Sequence, residues 1–457
     1  MIITEIQYFF SKIIRFQAIF KDTVEFTCAL EFKISSQRAV DYLIGMCMEE
    51  WDTVSGIQGN LLRQQYMERL CHATADNPDP KYTGFDRRFY KFPSYLRRSA
   101  ISEVIGKVSS YKSTLANWEA ADASIRGRKP SFPKAGFIYP CLYKTGMYEQ
   151  TGSYEARIKV YIRNTWGWIT LDLRKSDVDY ITRRCQSRKK CAPTLRKRGH
   201  EWYLDFPFEE ETVLADTDIF HQTIAAVDLG INSTATVSIM RPDGTILGRH
   251  FCKLPREYDS LKHATNRIRK AQQHGNFKTP RLWARAKGIN DDIAVKTAGF
   301  IIDTAVLYNA DTIVFEHLDR KGKKRGSGKQ KLHLWRSQYV QSMVEHKAHR
   351  IGMHVSRICA WGTSRLAFDG SGSVLRGREA DLGSYSVCQF RTGKIYNCDL
   401  NASYNIGARY YIRELLKSVP AKVRLALEAK VPQAARRSTC TLSVLINLNA
   451  ELVSMAA

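Results

Sequence analysis

The stretch Thr223–Phe251 restricts the fold more than any other. Thr223-Ile224-Ala225-Ala226-Val227 carries no charge and runs into Asp228, which is the pattern of a short buried strand whose last residue leaves the core. A desolvated, unpaired carboxylate is costly, so Asp228 must meet solvent, a cation or a hydrogen-bond donor. Gly230 permits a close turn. Ser233 to Met240 then sets Ala235, Val237 and Ile239 against Thr236, Ser238 and Met240, the alternation of a second strand. Pro242-Asp243-Gly244 returns the chain over Thr245–Phe251, because Asp-Gly is the strongest short hairpin signal. An Asp that merely caps a turn gives the same local pattern, so the reading depends on two later carboxylates.

Downstream, Leu261–Gly275 reads as a basic helix containing Lys262, Arg267, Arg269 and Lys270. Asn290 is expected to cap a long helix, with Asp291 and Asp292 in its first turn. Ile293, Ala294, Ala298, Ile301 and Ala305 line one face of it. Asp311–Phe315 is a second buried strand, and it ends at Glu316. Strand, helix, strand is a βαβ rhythm that predicts parallel pairing. Arg320–Lys331 holds seven Lys/Arg, three Gly and no acid, which suits either a solvated loop or a phosphate contact; Lys323, Lys324 and Arg325 are its candidates. Trp335–Lys347 reads as helix, Met353–Ile358 as strand and Cys359–Gly383 as irregular. Asp399 opens a helix to about Leu416, and the tail after Pro420 is weakly helical.

Charge narrows the class of partner. Lys and Arg number 70 against 45 Asp and Glu, a net +25 over 457 residues, and such an excess calls for a polyanion. No run approaches the roughly 20 apolar residues needed to span a bilayer, so no membrane partner is expected. Tyr8–Arg15 is broken by charge and does not read as a signal peptide. Eleven scattered cysteines suit a reducing compartment, and a cytoplasmic location is expected. Thr23–Phe32 alternates as a strand, and Ser35-Ser36 is expected to start a mostly helical region to about 125, broken at Phe92-Pro93. That region sets Arg87, Arg88, Arg97 and Arg98 among aromatic residues, a combination that grips phosphates and stacks on bases, although a core of aromatics under a solvated basic face gives the same pattern. A connector carries Arg126, Arg128 and Lys129. Strands follow at Ile158–Ile162, Trp168–Leu173 and Trp202–Phe206, with eight Lys/Arg and no acid in Arg183–Arg198 between them. Arg196, Lys197 and Arg198 are the candidates there, and Glu209-Glu210-Glu211 reads as an acidic linker.

Asp228, Glu316 and Asp399 form an ordered trio at two strand ends and a helix start. Hard divalent cations take oxygen ligands, and two Mg²⁺ about 4 Å apart clamp the attacking and leaving oxygens of a phosphodiester displacement. No P-loop, dinucleotide fingerprint, zinc-protease helix or serine elbow is present. Ala226-Val227-Asp228-Leu229-Gly230-Ile231-Asn232 resembles the first RuvC motif of transposon-encoded TnpB nucleases and compact type V CRISPR effectors. Ile313-Val314-Phe315-Glu316-His317-Leu318 is similar to the second motif, and Asp399-Leu400-Asn401-Ala402-Ser403-Tyr404-Asn405-Ile406 to the third. Trp335, His346-Lys347-Ala348 and Thr363-Ser364 also fall where that family has similar residues.

The resemblance is strong over about 221–417. It implies an α/β RNase H-like (RuvC) nuclease behind an N-terminal β-barrel wedge domain with a helical recognition insert. The expected layout is wedge at 1–36 and 131–215, recognition at 37–130, and nuclease at 216–358 (with a basic helix at 260–275) and 399–418. A finger-like insert for target nucleic acid occupies 359–398, and a tail 419–457. The implied activity is RNA-guided, metal-dependent cutting of double-stranded DNA by a monomer or a homodimer on one guide RNA. Asp228, Glu316 and Asp399 would be catalytic ligands of two Mg²⁺, with Mn²⁺ as a substitute. The family's two Cys-x-x-Cys pairs are missing: Ala367 and Gly370 stand where the first is expected, and only Cys388 and Cys398 follow, so no zinc is expected. Asn397 stands two before Asp399, where many relatives have Asp. Two other readings remain, a guided DNA binder that does not cut and an unguided RNase H-like recombinase.

Overall fold

The computed structural model describes residues 7–20, 23–123, 126–136, 141–143, 146–162, 165–185, 188–198, 201–230, 234–318, 336–384, 386–436 and 438–456. Contacts divide the chain into two compact units, one of Phe9–Glu210 and one whose main body starts at Glu211.

The first unit pairs a sheet with helices. Its strands are β1 (Gln7–Phe20), β2 (Tyr148–Gln150), β3 (Glu155–Ile162), β4 (Thr165–Leu173), β5 (Lys189–Lys190), β6 (Thr194–Arg198) and β7 (Glu201–Val213), in the order β2-β3-β4-β1-β7-β5 with β6 also on β7. Lys190 Nζ of β5 reaches Gln150 Oε1 of β2 at 3.4 Å, so the sheet curls until side chains bridge its two ends. Backbone pairing does not join those ends among the described residues. The helices are α1 (Thr23–Glu49), α2 (Trp51–Gly56), α3 (Asn60–Cys71), α4 (Gly84–Arg88), α5 (Ser94–Ala120) and α6 (Lys175–Arg184). Leu43, Ile44 and Cys47 of α1 and Ile101, Val104 and Val108 of α5 share one core with Ile158, Val160 and Phe206 of the sheet.

Two expectations for this unit are corrected. Thr23–Phe32 is not a strand but the start of α1, and the strand lies before it, at β1. The alternation Val24, Phe26, Cys28, Leu30, Phe32 puts apolar residues on opposite sides of the helix that forms, so period two alone did not decide it. Glu209-Glu210-Glu211 is not a linker; it lies inside β7. Lys189 and Arg188 meet Glu209 and Glu210 at 2.8 and 2.9 Å, so the neighbouring basic run neutralises these acids.

The second unit carries a five-stranded sheet in the order β10-β9-β8-β11-β12: β8 (Ile224–Asp228), β9 (Ala235–Met240), β10 (Ile246–Cys252), β11 (Thr312–His317) and β12 (His354–Cys359). The Asp-Gly hairpin forms as expected, with Gly244 at φ 88° between β9 and β10. Helices α7 (Pro255–Gln273) and α8 (Pro280–Leu307) connect β10 to β11, and α9 (Ser337–His349) precedes β12. Asn290 does not cap α8; it is buried mid-helix, because Pro280 with its fixed φ starts the helix ten residues earlier. β8, β11 and β12 are parallel, whereas β9 and β10 run antiparallel.

Odd-numbered Ala225, Val227, Ile313 and Phe315 face α8 and α9. Even-numbered Ala226, Val314 and Ile358 face α10 (Cys398–Ser418). Gly407 lets α10 approach β8 and β9, since a Cβ there would strike Met240 Sδ and stand 3.1 Å from that of Ala226. The tail is a working part of this core: α11 (Ala421–Lys430) and α12 (Leu442–Ala456) bury Leu427, Leu445 and Leu448 against α10. A three-stranded sheet, β13 (Leu375–Arg376), β14 (Val387–Gln389) and β15 (Ile395–Asn397), leads into α10. No helix among the described residues is long and apolar enough to cross a membrane.

Candidate active site

Parallel pairing aligns the first two carboxylates. Ile224 to Val227 pair with Thr312 to Phe315, so the next positions in register are Asp228 and Glu316. Adjacent strands lie about 4.8 Å apart, and residues in register share a face. That face is the even-numbered one under α10, whose second residue is Asp399. The helix start is fixed by Asn397, whose Oδ1 accepts from the N–H groups of Asp399 and Leu400, both at 3.0 Å. Asn caps as well as Asp does, so the substitution noted at 397 keeps the cap while removing a charge.

A turn over 359–366 holds Glu316 in place. Thr363 Oγ1 donates to Glu316 Oε1, while Gln341 Nε2 donates to the Glu316 carbonyl at 2.9 Å. Asn401 and Asn405, one turn apart on α10, grip this turn: Asn405 Nδ2 donates to Thr363 O and Leu366 O at 2.9 Å, and Asn401 Nδ2 to Leu366 O at 2.9 Å. Arg409, one turn further on, is 4% exposed and among the described residues bonds only carbonyls: Cys359, Trp361, Ser438 and Cys440. The motif asparagines are therefore positioning residues. Their i,i+4 spacing was the signal in the sequence, but the partner turn was not visible there.

Burial and the neighbouring Glu316 and Asp399 carboxylates push the Asp228 carboxyl well above its ordinary range, with Arg376 acting in the opposite direction. Burial also raises Glu316, against the Thr363 hydrogen bond and the Arg409 charge. Arg376 was missed in the sequence. It comes from the small sheet, donates to Ser364 O, and leaves a buried Nε with no hydrogen-bond partner among the described residues. The site thus sets Asp228 against two neighbouring carboxylates, beside one partly unsatisfied guanidinium. A divalent cation suits that donor set and would relieve the repulsion. The side chains are not drawn into a ligating cluster: among the described residues no three His, Cys, Asp or Glu stand at metal-binding spacing. Cys388 and Cys398 hydrogen-bond one another within a small apolar cluster with Ala367, Val374 and Phe390.

The candidate nucleic-acid contacts separate into groups. Arg97 is a correction: it is 4% exposed and its Nη2 is held by Glu68 Oε1 at 2.8 Å, so it serves the core of its unit. Arg98 is exposed but bonds the other oxygen of Glu68 at 2.8 Å. Arg196 meets the buried Asp205 at 3.0 Å, and Lys197 lies 5.6 Å from the Trp202 ring. Arg126 stacks 4.8 Å from the Trp118 ring, with Lys129 5.9 Å away. Arg87, Arg88, Arg128 and Arg267 are exposed. The Arg198 side chain and Lys323, Lys324 and Arg325 lie outside the described residues.

A family model described as the Aq_aa04 family matches residues 17–162. An uncharacterized protein, aq_aa04, of Aquifex aeolicus (strain VF5) is 33% identical over 104 residues, which are 22% of this chain and 56% of that protein. The chain therefore spans little more than half the length of that curated relative. Among solved structures, a Cas12f1–sgRNA–target DNA complex is similar at a TM-score of 0.56 and 14% identity, over 85% of this chain and 83% of that one. An AacC2c1–sgRNA binary complex gives 0.40 and 10% over 85% and 70%. With most of both chains superposed in the first of these, the protein described here has the fold of Cas12f1.

Proposed function

We propose that this protein is an RNA-guided DNA endonuclease of the TnpB and compact type V kind, with an RNase H-like, RuvC-type site at Asp228, Glu316 and Asp399. The observation that carries this reading is the register that aligns Asp228 with Glu316 on the face capped by the start of α10. A net charge of +25 and the Cas12f1 fold, solved with sgRNA and target DNA, support a guide RNA and a DNA target as partners. In this reading the first unit is the wedge and recognition lobe and the curled sheet is the wedge.

Asp228, Glu316 and Asp399 would hold two Mg²⁺, which supply Lewis-acid activation of the attacking water and of the leaving oxygen. The chain's own contributions are distinct. Thr363 and the asparagine clamp fix the Glu316 rotamer, and Asn397 fixes the backbone at Asp399. The Arg376 guanidinium, whose charge already acts on Asp228, would also stabilise the negative charge that builds on the phosphate in the transition state. Zinc has no part in the proposal, since Cys388 and Cys398 offer only two thiols, hydrogen-bonded to each other.

The test is purification followed by sequencing of bound RNA and a plasmid assay with a matched target. A discrete co-purifying RNA and Mg²⁺-dependent cutting of the matched plasmid are expected. RNA-free protein that cuts without a guide would replace this reading with the recombinase-like one. A second reading, guided binding without cutting, draws on the finger-like region that lacks the family's cysteine pairs; a matched plasmid bound but never nicked with Mg²⁺ or Mn²⁺ would establish it.

A further inference from the structure

We propose that the 359–366 turn carries a base-stacking site, made of Trp361 and Arg365, that holds single-stranded DNA against the carboxylates. The inference rests on the nuclease reading above and extends it to how the strand is held.

The turn is unusually fixed for an exposed segment. Arg409 Nη1 donates to Cys359 O at 2.7 Å and to Trp361 O at 2.8 Å. Asn405 holds Thr363 O, Arg376 holds Ser364 O, and Asn401 and Asn405 both hold Leu366 O. Within the turn, the N–H groups of Arg365 and Leu366 close onto Gly362 O at 3.1 and 3.0 Å, with Gly362 at φ 76°. Five carbonyls of eight consecutive residues are thereby tied by side chains from α10 and the small sheet. Such anchoring removes the conformational freedom that a surface loop would lose on gripping a ligand.

Two side chains are left outside this network. Trp361 is 66% exposed, and its indole has no ring or hydrogen-bond partner among the described residues. Arg365 is exposed and its guanidinium has no ion pair or hydrogen bond among the described residues. Between them Thr363 turns inward to Glu316. One short turn therefore presents an aromatic face and a free cation on either side of the residue that holds a site carboxylate. An aromatic face with a backbone-tracking cation is how proteins hold single strands without reading sequence. A protein partner would want an apolar surround for its anchor, whereas the residues that follow Trp361 in the turn are Gly362, Thr363, Ser364 and Arg365.

The test uses the full chain carrying Asp228→Ala, so that bound strand is not cut. A single-stranded DNA oligonucleotide containing 2-aminopurine is titrated, reading anisotropy for affinity and quenching for stacking. Trp361→Ala should weaken binding about tenfold and abolish the quenching, while Trp361→Phe should recover most of both. Arg365→Gln should weaken binding and lower the slope of log affinity against log salt by roughly 0.7. Thermal melts of each variant report folding, and the Phe and Arg365→Gln variants carry the test if Trp361→Ala is destabilised. Unchanged affinity and quenching in Trp361→Ala would overturn the site, as would an unchanged affinity and salt slope in Arg365→Gln. Because the readout is binding, it stands apart from the nuclease reading: a wild-type protein that never cuts removes that reading and leaves the stacking measurable.

Discussion

Acids near the core are treated in opposite ways by the two units. In the first, Glu68 is shared by Arg97 and Arg98, Asp205 is met by Arg196, and Glu50 is bonded by Lys81 and Tyr82. In the second, Asp228 and Glu316 stand in register beside each other, and what opposes their repulsion is a hydroxyl and two more distant guanidiniums. A buried acid with a bonded cation holds structure together. Acids whose pKa is raised by burial, and for Asp228 by its neighbours Glu316 and Asp399 as well, cost the fold free energy, and such groups are the mark of a site that awaits a ligand.

The sharpest way to break the comparison is catalytic. Asp228→Ala should cut the cleavage rate at a matched target by at least about 10³-fold, roughly 4 kcal/mol, while leaving DNA binding nearly unchanged. Cleavage kinetics and a gel-shift on the same variant check both halves, and retained cutting would remove Asp228 from the ligand set.

Stability should respond in the reverse sense. Glu68→Ala strands the buried Arg97 and is expected to cost about 3–5 kcal/mol, read by denaturant unfolding. Glu316→Gln relieves a repulsion and should leave the metal-free protein equally or more stable. If both variants lose the same stability, the two classes of acid are not different.

Dependence on pH sharpens the same contrast. The raised pKa values of Asp228 and Glu316 mean that the folded state takes up protons before the unfolded state does, so their penalty is relieved as pH falls from neutral through those raised values. Glu50 is held below its ordinary value by its hydrogen bonds to Lys81 and Tyr82, so its contribution is present above the ordinary carboxylate range and lost as pH falls through its lowered value. Metal-free protein should therefore melt higher in mild acid than at neutral pH, and Asp228→Asn should flatten that rise. Added Mg²⁺ should raise the melting temperature at neutral pH in the wild type and much less in Asp228→Asn.

The smallest effect concerns the helix start. Asn397→Ala should cost about 1 kcal/mol, a fall of about 2–4 °C in melting temperature, and Asn397→Asp close to nothing. A larger loss of cleavage than of stability in Asn397→Ala would show that the cap also orients Asp399.

Elements with one dominant period were legible in the sequence. β8, β9, β10 and β11 followed from uncharged or alternating runs ending at Asp or Gly turns, because burial on a sheet imposes that pattern on every residue. Asp228 and Glu316 stood out for the same reason, each being a charge at the end of a strand that otherwise excludes charge, whereas Asp399 stood out by its place at the start of a helix that carries Arg409, Arg413, Glu414 and Lys417 further on. Where a pattern suited two structures, sequence alone misled. Thr23–Phe32 alternated as a strand does and became helix, and Glu209-Glu210-Glu211 became strand once Arg188 and Lys189 met its acids. Arg97 looked like a phosphate contact until Glu68 claimed it. Only tertiary structure could bring Arg376 to Asp228, tie the 359–366 turn to Asn401, Asn405 and Arg409, and bury the tail against α10. The physical reason is the same in each case: a hydrogen bond or ion pair between residues far apart in the chain leaves no periodic trace in either segment.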